Sequence, residues 1–195
     1  MSRAPSPHAF LTALSPIEHR AGDPDGRLRA VRDALHGHLQ LESPFRDCPM
    51  AHMVRLQVLD TLRPAMGDYT APPLQSSYLL FVAELDGGID DFLDCLYRVD
   101  PDFVARVWGR CEGYPRYAGA VFFRQYVRRC LIADPLPYAA FPATVPEILR
   151  LLARKESLAD WVAHANALDD AALQKAWHAQ RRALLQPKLP RPGSL

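Results

Sequence analysis

The stretch YLLFVAEL, residues 78–85, constrains the fold more than any other in the chain. All of it but Glu84 is apolar, and two glycines follow in DGG. A run this short that ends in turn residues reads as a strand rather than a helix, and its near-continuous apolarity places it centrally, covered on both faces. Just ahead of it, HMVRLQVL alternates. Val54, Leu56 and Val58 share one face, and Met53, Arg55, Gln57 and Leu59 the other. By that parity His52 joins the face of Val54. The intervening TLRPAMGDYTAPPLQSS is expected to be a long loop of roughly 17 residues, of the kind that carries function or moves.

Helical spacing accounts for most of the rest. Leu28, Val31, Leu35 and Leu39 form an apolar stripe, as do Ile89, Phe92, Leu93, Leu96 and Tyr97. Asp100–Pro101 is an N-cap and first-turn pair for a helix with Phe103, Val104, Val107 and Trp108. In AVFFRQYVRRCLI a helix gathers Phe122, Phe123, Tyr126, Val127, Cys130 and Leu131, whereas a strand would scatter them. LPYAAF reads as a short strand. Thr144 and Glu147 in TVPE form a capping box for a helix with Ile148, Leu151, Leu152, Leu158 and Val162 inward, and a last helix spans about 169–185. The order α, β, β, α, α, α, β, α, α predicts an α+β fold with a small, mostly antiparallel sheet covered by several helices. Residues 1–25 are expected to form a loose arm, 26–186 a single α+β domain and 187–195 a flexible tail.

Charge narrows the partners. Lys plus Arg number 23 against 22 for Asp plus Glu, so the basic surface that nucleic acid requires is not expected. Nor does any apolar run approach the roughly 20 residues of a membrane helix. Cys48, Cys95, Cys111 and Cys130 form no C-x-x-C and no zinc spacing. With no export signal, a cytoplasmic protein with reduced thiols is the expectation.

Three residues stand out as catalytic candidates: His52 as acid/base or ligand, Arg55 as an anion clamp, and Asp86 as base or helix cap. Each also has a structural reading. His52 can be a hydrogen-bonded core residue, Arg55 can pair with Glu84 on the next strand, and Asp86 can cap the following helix, which is the favoured role. Cys48 and His52 sit four apart, but a structural zinc needs four ligands and a catalytic one three, so no metal site is expected. Asp90, Asp91 and Asp94 suit the first turns of a helix, and Arg124 and Arg128 lie one turn apart, able to dock that acidic helix. Cys111 is a poor nucleophile near a helix C-terminus and beside Glu112. Gly113 is expected to end the helix before it as its C′ residue. Either His164 or His178 can in principle serve as an axial haem ligand.

H-x-x-R in His52–Arg55, then LLF, then Asp86–Gly87 and a helix, resembles domains of the ferredoxin-like dimeric α+β barrel superfamily. That group includes dye-decolorising haem peroxidases and small cofactor-free monooxygenases. The resemblance spans about residues 50–100. Of the peroxidases' G-x-x-D-G, only the Asp86–Gly87 end stands here, and no motif places their proximal histidine. The helix over 121–132 departs from the pattern. The resemblance implies an α+β fold and haem as a cofactor, which the residues alone leave unknown. The functional expectation is a small-molecule-binding or oxidoreductase-like domain, with its pocket between the sheet and the 60–77 loop. The alternative is a non-enzymatic accessory domain whose amphipathic terminal helices pack on a partner or on a second copy.

Overall fold

In a computed structural model of the protein, residues 8–19, 21–22, 25–37, 42–61, 73–115, 119–133 and 143–189 are described. YLLFVAEL is the latter part of strand β3 (Pro73–Asp86), the middle of a three-stranded antiparallel sheet. Its neighbours are β1 (His8–Pro16) and β2 (Ala51–Thr61). Helix α1 (Gly26–His36) connects β1 to β2, so β3 lies between two strands that run the same way. The α+β class expected from the sequence is what the chain adopts. The loose arm is not: HAFLTALSP pairs with β3 along its whole length, from His8 opposite Asp86 to Pro16 opposite Tyr78. The 61–77 loop is also shorter than expected, because β3 already begins at Pro73 and Ser77 is buried. The strand expected in LPYAAF lies outside the described residues.

The chain divides into two compact units, residues 1–140 and 141–195, where the sequence reading drew one domain over 26–186. In the first unit, one face of the sheet holds the core. Leu79, Phe81, Ala83 and Leu85 are buried, flanked by Leu11 and Ala13 of β1 and by Val54, Leu56 and Val58 of β2. Helices α2 (Ile89–Val99), α3 (Pro101–Trp108) and α4 (Ala120–Arg129) contribute most of the rest of that core, with Leu28 and Val31 of α1 and with Ile17, Cys48 and Cys111. Trp108 meets Phe81 and Phe123 edge-on at 5.2 and 5.0 Å. Each such pair is worth roughly 0.5–1.5 kcal/mol beyond the area it buries. Asp100 caps α3, accepting from the Phe103 amide at 2.7 Å. That helix ends at Gly109, not Gly113, and a Cβ at Gly109 would overlap the Ala105 carbonyl oxygen, so the close approach there requires glycine. After α4 the chain runs along the free edge of β1, where Leu14 donates to the Cys130 carbonyl and Ile132 to that of Thr12.

The second unit is a pair of helices, α5 (Val145–Ala165) and α6 (Asp170–Leu185). The Thr144–Glu147 capping box opens α5 as expected. Asp169 caps α6, and Trp161 packs edge-on against Trp177 at 5.4 Å. Leu151, Leu152 and Val162, expected to face inward, are exposed.

Candidate functional site

The two residues of interest meet where β2 starts and β3 ends. Asp86 is the last residue of β3, and Gly87 turns the chain away with φ +80°, a conformation that favours glycine. Gly88, not Asp86, is the N-cap of α2, so Asp86 stands two residues ahead of the position its favoured capping role requires. The Asp86 amide donates to the Met50 carbonyl at 2.7 Å, tying the end of β3 to the turn before His52.

His52 reaches Asp86 through an irregularity of register. Ala51 lies opposite Leu85 and Met53 opposite Glu84, so two steps of β2 match one step of β3. His52 is the extra residue of a β-bulge. Ala51 and Val54 both face the core beyond it, although a regular strand would put them on opposite faces. The expectation that His52 sides with Val54 is thereby overturned. Its Nε2 instead lies 2.8 Å from Oδ1 of Asp86.

A third residue converges there. His8, opposite Asp86 across β1 and β3, places Nδ1 3.4 Å from the same oxygen. The two imidazoles stand 5.4 Å apart between centroids. Side-chain exposure is 6% for His8, 13% for His52 and 15% for Asp86, so the group is largely removed from water yet not sealed. Hydrogen bonds to a carboxylate from that environment are strong ones. Sequence reasoning missed His8 because it assigned the segment to an arm. The signal was present in HAFLTALSP, where Ala9, Leu11 and Ala13 alternate with His8, Phe10 and Thr12.

Arg55 does not join them. It is exposed and pairs in register with Val82, four residues before Asp86, which is roughly 13 Å along a strand. The pocket expected beside the 60–77 loop is also misplaced relative to this group. His52 and Thr61 sit at opposite ends of β2, roughly 30 Å apart, and residues 62–72 lie outside those described.

The other candidates resolve into structure. Cys48 turns into the core beside Cys95, away from His52, and burial pushes its thiol far above the ordinary range. Burial, with Cys130 as a smaller influence, pushes the Cys111 thiol up to about 12, so it is no nucleophile. Arg124 binds Asp94 at 2.6 Å and Arg128 binds Asp90 at 2.7 Å, the docking anticipated between those helices. The Arg128 guanidinium holds the Asp90 carboxyl below its usual range. His164 and His178 are exposed. Among the described residues, no helix is long and apolar enough to cross a membrane. No protein-family model, curated protein or solved structure matches this chain.

Proposed function

We propose that the first unit is a small-molecule-binding, oxidoreductase-like domain that works at this end of the sheet through proton transfer at His52. One observation carries the reading: a bulge diverts a histidine from the core face onto a strand-terminal carboxylate that it meets at 2.8 Å. Bulges beside sites re-aim side chains in this way. With Nε2–H donated to Asp86, Nδ1 of His52 keeps a lone pair and acts as the base. The Asp86 carboxylate then stabilises the imidazolium that forms, the role such a carboxylate plays in catalytic triads. Removal of the pair from most of the water strengthens that coupling.

The test is a thermal-shift screen with phenols, quinones, 2-oxo acids, flavin mononucleotide and hemin. A compound is expected to raise the melting temperature of the wild type and of Arg55→Ala, but not of His52→Ala or Asp86→Asn. If every shift in the panel survives His52→Ala, the reading is wrong.

A second reading, an accessory domain acting through α5 and α6, draws on the exposed Leu151, Leu152, Val162, Leu168 and Leu185. Apolar side chains concentrated on one helical pair mark contact surfaces. Sedimentation of the full chain with and without Leu151→Glu and Val162→Glu separates a self-associating protein from a monomer.

A further inference from the structure

The geometry points to the sheet end as a mononuclear binding site for a first-row divalent transition cation, held by His8, His52 and Asp86. This rests on the reading of that end as the functional one, and supplies the cofactor its residues alone left unnamed.

The donor atoms of the three side chains lie within 4.8 Å of one another. Asp86 Oδ1 is 2.8 Å from one imidazole nitrogen and 3.4 Å from the other. A cation about 2.1 Å from each donor would set neighbouring donors roughly 3.0 Å apart at octahedral corners and about 3.4 Å at tetrahedral ones. Both carboxylate-to-imidazole separations therefore already match metal coordination, and only the imidazoles need to close further on each other.

The chemistry of the donors selects the ion. Two imidazole nitrogens and one carboxylate oxygen disfavour Ca²⁺ and Mg²⁺, which take oxygen cages and water. They suit Fe²⁺, Mn²⁺, Co²⁺ and Zn²⁺, and two histidines with one carboxylate on one face leave coordination positions open to a ligand. The three strands deliver the donors from one side: β1 brings His8, β3 Asp86, and the bulge His52. The neighbouring Gly87, Gly88 and Met53 are exposed, and His52 and Asp86 retain 13% and 15% side-chain exposure, so the group lies near the protein surface. A cation so placed also balances the shared carboxylate: in the metal-bound form each imidazole carries its proton on the ring nitrogen turned away from Asp86, so His52 then serves as a ligand through Nε2, and its base role belongs to the metal-free protein.

Co²⁺ titration of the chelator-treated full chain, with any polyhistidine tag removed, tests the site. One equivalent is expected to bind with visible d–d absorption. His8→Gln, His52→Gln and Asp86→Asn are each expected to weaken it about 100-fold or more, since losing even a ligand's own hydrogen-bond partner costs 10–100-fold. His164→Gln, which alters an exposed histidine elsewhere, should change nothing. Variants are first compared by circular dichroism without metal. For those that stay folded, Zn²⁺ should raise the melting temperature of the wild type and not theirs. Absence of saturable binding, or binding that all three variants share, overturns the proposal. If Co²⁺ fails while a His52-dependent shift persists in the small-molecule screen, only the metal is wrong. If Co²⁺ binds as expected and no small-molecule shift depends on His52, the proton-transfer reading fails and the metal site stands.

Discussion

Replacing both partners of the His52–Asp86 contact, singly and together, measures whether the bulge delivers a real interaction. A hydrogen bond to a charged group contributes about 1.5–3 kcal/mol to stability. At 2.8 Å, with side-chain exposures of 13% and 15%, this one is mostly shielded from water. His8 at 3.4 Å still contacts Asp86 after His52 is removed, which lowers the cost of truncation. A coupling of about 1–2 kcal/mol between His52→Ala and Asp86→Asn follows, once the packing lost in each single variant cancels in the cycle. The assay is urea unfolding near neutral pH in a background with Trp161→Phe and Trp177→Phe. Fluorescence then reports Trp108 alone, which is fully buried in the first unit. A coupling below about 0.3 kcal/mol, the usual scatter for independent sites, would mean that the two side chains do not meet in solution, and the acid–base reading would go with it.

Asp100→Ala should cost about 1 kcal/mol by removing the cap of α3, read as a lower urea midpoint with unchanged slope. Gly109→Ala should cost more, about 2 kcal/mol, because the added methyl meets backbone rather than a movable side chain. The depressed Asp90 pKa stabilises the fold above its ordinary value near 3.8, and that contribution disappears as pH falls through the lower folded value. The pair is largely exposed, so Arg128→Met should flatten the acid limb of the stability curve by only about 0.5 kcal/mol. For Cys111 the sign reverses: its raised value costs stability as pH climbs from about 9 towards 12, where the unfolded thiol ionises and the folded one does not. Cys111→Ala should make the alkaline limb shallower. Native-state labelling with a thiol reagent should modify Cys130 first and leave buried Cys48, Cys95 and Cys111 until unfolding.

Much of the frame was legible because it depends on local rules. The central strand at 78–85 and the caps at Asp100 and Thr144 follow from periodicity and capping patterns within short windows, and the Asp90–Arg128 docking from two locally readable helix faces of opposite charge. The site was half legible. His52 and Asp86 stood out, but their meeting depends on a bulge, and one inserted residue inverts the parity on which any strand reading relies. No turn residue flags it, because AHMV carries no glycine or proline. His8 escaped for a different reason: the alternation in HAFLTALSP is short and interrupted by the apolar Phe10, and its segment gains strand structure by pairing with β3, far along the chain. Arg55 shows the converse, since sequence proximity to His52 does not survive projection onto the sheet.

The non-local pairing of β1 has a kinetic consequence. Strands β2 and β3 are neighbours in sequence and can zip early, whereas β1 must close the longest loop in the sheet before His8 reaches Asp86. Pairing at such separation is slow relative to local structure. The third side chain should therefore arrive last in folding and leave first in partial opening, so hydrogen exchange at the start of β1 would serve as a clock for when the site becomes complete.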